Sequence, residues 1–115
     1  MSIPPPPQER NRRASPRKAL RQAATVTHGD IIKPAHTWDI ALDGMSLLAP
    51  RPITPGTRCK VTFLVPLGEG PVEVTAAMKV VYSSYSANGE FKIGAVFTDL
   101  DAAVAATLGR FVADS

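Results

Sequence analysis

Apolar and polar residues alternate from Ala19 onward, and glycine, proline, Asp-Gly or Asn-Gly interrupts the alternation every few residues. A period of two puts successive side chains on opposite faces of an extended strand, so this stretch reads as short half-buried strands and not as helices. Leu20, Gln22, Ala24 and Val26 fall on one face, and Arg21, Ala23, Thr25 and Thr27 on the other. Further strands are expected at Thr37 to Ile40, Met45 to Ala49, Arg58 to Val65, Val72 to Tyr82 and Phe91 to Phe97. Between them stand Asp43-Gly44, Pro52 to Gly56, Gly68 to Pro71 and Asn88-Gly89. Asn-Gly is a strong two-residue hairpin signal, so the last two strands should be antiparallel partners.

Only the C-terminal end carries a helical period. Leu100, Val104, Leu108 and Phe111/Val112 share one face, with Thr98 or Asp99 as N-cap, Asp101 in the first turn and Arg110 in the last. A one-sided apolar stripe needs a partner surface, which the strands can offer. The expected fold is all-β, a six-stranded antiparallel β-barrel with a C-terminal α-helix.

At 115 residues there is room for one core. Domain boundaries are expected at 1–11, a solvated tail around the run Pro4 to Pro7, at 12–112, the folded domain, and at 113–115, the end. No apolar run approaches the roughly 20 residues of a membrane-spanning helix. The first 13 residues lack the apolar middle of a secretory signal. Cys59 cannot form an internal disulfide, and only His28 and His36 could join it at a metal. A cytoplasmic protein without metal, away from membranes, is expected. The net charge of +3 is unevenly spread: residues 1–33 hold seven bases against two acids, and residues 34–115 six against eight. The basic surplus is therefore local.

No nucleophile–base signature and no phosphate-binding glycine loop occurs, so an enzyme is not expected. Recognition falls to arginine. In Arg12-Arg13-Ala14-Ser15-Pro16-Arg17, Pro16 prevents a continuous helix and holds the segment extended ahead of the first strand. Guanidinium forks at Arg13 and Arg17 can then grip phosphate oxygens or lie on a purine ring. Trp38, Phe63, Phe91, Phe97 and Phe111 read as core, Cys59 as an inert buried thiol, and Tyr82 to Ser86 as a solvated hairpin tip.

Arg13-Ala14-Ser15-Pro16-Arg17 followed by Asp39-Ile40-Ala41-Leu42-Asp43-Gly44 resembles the PilZ family, whose hallmarks are RxxxR and then [D/N]xSxxG. Phe91 to Asp101 also looks like that family's last strand and the start of its terminal helix, and the resemblance covers roughly residues 10 to 112. It implies a six-stranded barrel that binds cyclic dimeric GMP, a bacterial second messenger, and signals to a partner protein without chemistry on the ligand. Carried across, Arg13 and Arg17 would hold phosphates and guanine faces; Arg12, which the family pattern does not require, would assist by charge or stacking. Asp39 would accept from a guanine edge, Gly44 would admit close backbone approach, and Ala41 would stand at the motif's serine. Arg21 is a weaker candidate.

Two positions depart from the pattern. Ala41 lacks the serine hydroxyl, a neutral hydrogen bond of about 0.5–1.5 kcal/mol, which predicts roughly tenfold weaker binding at most. Asp43 stands where many relatives have a second glycine, and its carboxylate would repel a phosphate unless it turned toward Arg13 or Arg17. The receptor reading therefore has a rival, a PilZ-like adaptor that has lost the ligand and works by docking alone. A basic-armed barrel on nucleic acid is disfavoured, because no strand interleaves basic and aromatic residues.

Overall fold

The structure, a computed structural model, describes residues 16–113 of the chain. Seven strands precede one helix: β1 (Lys18–Ala19), β2 (Ala23–His28), β3 (Ile31–Ile40), β4 (Gly44–Ala49), β5 (Arg58–Leu67), β6 (Gly70–Ala87), β7 (Glu90–Asp99) and α1 (Ala102–Ala113). All pairings are antiparallel. The sheet runs β3-β2-β5-β6-β7-β4, and a further β3–β4 pairing closes these six strands into a barrel-like ring. Closure removes the open edges that a six-stranded sheet would otherwise expose.

The expected six strands are present, with differences that have local causes. The first expected strand is broken into β1 and β2, both lying on the same side of β3. Buried Thr37 bridges the break: its hydroxyl is hydrogen-bonded to the Leu20 carbonyl, and Gln22 N–H donates to it at 2.9 Å. β3 starts at Ile31, earlier than the alternation indicates, because Gly29 (φ +60°) and Asp30 make a turn that folds β3 back on β2. Pro34 lies where β3 is paired with β2 alone among the described residues, a position that tolerates a missing donor. β6 continues to Ala87, so Tyr82 to Ser86 are strand and not loop. Asn88 (φ +56°) and Gly89 (φ +78°) then form the tight turn expected of Asn-Gly.

The ring's interior is filled from every strand, with Val26, Ile40, Leu47, Val61, Phe63, Met78, Val80 and Ile93 all nearly or fully buried. α1 packs against β5 and β6 and contributes Leu108 and Phe111 to the core, with Val104 and Val112 partly buried. Its N-cap is Asp101, not Thr98 or Asp99. The Asp101 carboxylate accepts from Ala103 N–H at 2.7 Å, because β7 still holds Thr98 and Asp99 in extended backbone. At the other end, Lys18 donates to the Phe111 carbonyl at 3.0 Å and lies 4.2 Å from the centre of its ring. No helix among the described residues is long and apolar enough to cross a membrane.

Candidate functional site

Two β-bulges decide which side chains reach the outer face. Along β3, Thr37 pairs with Leu47 and Asp39 with Ser46, so Trp38 is an extra residue. A bulge shifts the alternation by one. Buried Thr37 and Ile40 keep facing inward, while Asp39 turns out. β6 repeats the device: Val80 pairs with Ala95 and Tyr82 with Gly94, leaving Val81 extra and Tyr82 outward. Because Ser46 pairs with Gly94, the register lines up Asp39, Ser46, Gly94 and Tyr82 in one row across β3, β4, β7 and β6. The Tyr82 ring lies over Gly94, in space that any Cβ there would occupy.

This row floors a cleft of about 400 Å³ that also takes in Arg17, Asp43, Lys92 and Val96. Arg17, just ahead of β1, reaches Asp39 with Nη2 at 3.0 Å and Nε at 3.3 Å, both on the same oxygen, Oδ1. Among the described residues nothing holds the other Asp39 oxygen. Nη1 of Arg17 lies 4.0 Å from Asp43 Oδ1. The cleft therefore combines a guanidinium fork, two carboxylates, an ammonium at Lys92, a hydroxyl at Ser46 and an aromatic face, a set suited to a flat, anionic, hydrogen-bonding ligand. A second cleft, of about 440 Å³, opens beside Thr27, Arg58, Lys60 and Met78 and holds none of the motif residues.

Of the residues singled out from sequence, Arg17 and Asp39 are brought together. Gly44 also lines the cleft, but the pressure on it comes from β7. An added Cβ would overlap the Ala95 carbonyl oxygen and stand 3.1 Å from Val96 Cα, so β4 and β7 need the glycine whatever binds above them. Ala41 is fully buried and does not line the cleft; its N–H donates to the Gly44 carbonyl at 2.8 Å. Arg12 and Arg13, like the expected tail, lie outside the described residues. Arg21 is occupied elsewhere: it donates to the Trp38 carbonyl at 3.0 Å and its guanidinium stacks 3.6 Å above the Trp38 ring. Trp38, expected in the core, is half-buried under that arginine, because the bulge turns it away from the interior.

Ser46, Tyr82 and Lys92 did not stand out in the sequence. One usable signal was present: an isolated glycine inside a strand, Gly94, marks a close approach by another group. Cys59 is buried as expected, and burial raises its thiol pKa and keeps it protonated. Among the described residues, no three His, Cys, Asp or Glu side chains cluster to hold a metal.

A search of curated protein sequences finds no match. Solved structures share the fold at low identity. The Bacillus subtilis inhibitor of motility (MotI/DgrA) matches with TM-score 0.71 and 10% identity, over 82% of this chain and 46% of that one, so this chain spans under half that relative's length. The PilZ domain of Escherichia coli YcgR, solved with c-di-GMP, matches with TM-score 0.69 and 16% identity over 88% of both chains. The PilZ domain of CeSA from a cellulose-synthesizing bacterium gives TM-score 0.56 and 17% identity, over 84% of this chain and 93% of that one. A family model described as PilZ domain matches residues 11–114, nearly the whole sequence, and with the ring fold, the terminal helix and the Arg17–Asp39 pair this establishes that the chain belongs to the PilZ domain family.

Proposed function

We propose that this protein is a non-catalytic cytoplasmic receptor for cyclic dimeric GMP that signals to a partner protein when its basic arm closes over the ligand. The observation that carries the reading is the meeting of Arg17 and Asp39, twenty-two residues apart, at the rim of a cleft that also offers Tyr82 and Lys92. The YcgR domain of the same fold holds this ligand in its solved structure. Asp39 keeps one oxygen for the N–H groups of a guanine edge while Arg17 holds the other, so recognition of the base and positioning of the arm share one carboxylate. The Arg17 fork and the Lys92 ammonium face the ligand's phosphates, and the Tyr82 ring offers a purine a stacking surface of about 1–3 kcal/mol. Arg12 and Arg13 stand just upstream and add positive charge as the arm folds down.

Calorimetric titration with cyclic dimeric GMP tests this. The parent is expected to show saturable binding that is lost, or weakened at least roughly tenfold, in both Arg17→Ala and Asp39→Asn, each of which removes a charged hydrogen bond worth about 1.5–3 kcal/mol. A parent that takes up no ligand at roughly hundreds of micromolar refutes the receptor and leaves the adaptor.

A further inference from the structure

We infer that Asp43 competes with the ligand for Arg17 and so sets how much ligand is needed to load the cleft; this rests on the receptor reading. Both edges of the Arg17 guanidinium face carboxylates. Nε and one N–H of Nη2 are engaged by Asp39, and Nη1 lies 4.0 Å from Asp43 Oδ1, within ion-pair range but too far for a hydrogen bond. A phosphate that meets the open Nη1/Nη2 end in bidentate fashion uses Nη1, the nitrogen nearest Asp43.

The two carboxylates differ in kind. Asp39 is held at 3.0 Å on a strand and its side chain is 26% exposed; Asp43 lies farther off in the β3–β4 turn and is 48% exposed. The Asp43 backbone is anchored, since its carbonyl accepts from Phe97 N–H at 3.0 Å, and this holds the base of its side chain at the cleft. Among the described residues, one cation and two anions give this corner a net charge of −1. A phosphodiester carrying its own negative charge meets that excess, countered on the far side of the row by Lys92. Removing the Asp43 charge leaves Arg17 paired with Asp39, so no cation is stranded and the fold should not change.

The test is calorimetry of the parent, Asp43→Asn and Asp39→Asn with cyclic dimeric GMP at about 50 mM and about 500 mM salt. Asp43→Asn should bind roughly three- to tenfold more tightly than the parent at low salt, with the gain shrinking at high salt. Asp39→Asn should bind more weakly, although it removes the same charge; general neutralisation would move both variants the same way. If the parent binds and Asp43→Asn binds equally or less well, the competition is refuted and the receptor stands. Should only Asp43→Asn bind, the competition holds and the receptor reading of the natural chain falls. If no variant binds, both fall.

Discussion

Ala41 occupies the motif position where relatives carry a serine, yet its methyl is fully buried and its amide is tied to the Gly44 carbonyl. Restoring the serine puts a hydroxyl into packed surroundings. Because that position does not line the cleft, Ala41→Ser should leave ligand binding nearly unchanged while lowering stability by about 1–3 kcal/mol in urea titration. A serine that does line the cleft is Ser46, register partner of both Asp39 and Gly94. Ser46→Ala should weaken binding of cyclic dimeric GMP by roughly three- to tenfold in the same calorimetry, the loss of one neutral hydrogen bond. Arg17 and Asp39 could be found in the sequence because a spaced motif contains them. Ser46 and Tyr82 could not, since a serine and a tyrosine on strands point to a site only once the register aligns them.

The strands were largely legible because period two and turn residues act locally: the Asn88-Gly89 hairpin and the apolar face of α1 stand as expected. The bulges were not. An extra residue at Trp38 or Val81 is defined by the strand opposite, so no local pattern announces it, yet each one turns a cleft residue outward. The break at residues 20–22 was hidden for the same reason, since Thr37 from another strand bridges it. The two glycines of the cleft make opposite predictions. Gly44→Ala drives a Cβ into the backbone of β7, which cannot yield cheaply, and should cost about 2–4 kcal/mol in urea denaturation. At Gly94 the atoms nearest an added Cβ belong to the Tyr82 ring, a side chain that can swing away. Gly94→Ala should spare stability and weaken ligand binding.

At the scale of the molecule, a small ring depends on what fills it. Leu108 is fully buried and is the helix's main insertion into the core, so Leu108→Ala should cost about 2–5 kcal/mol and lower the urea midpoint without changing which residues contact ligand. The single core was legible from length and apolar pattern. That the chain's first described residues meet its last was not, because contact between Lys18 and Phe111 depends on the path of the whole chain. This meeting has an architectural consequence. The first and last elements of the described fold are tied together by this contact, so joining both to a host protein would cost little loop-closure entropy.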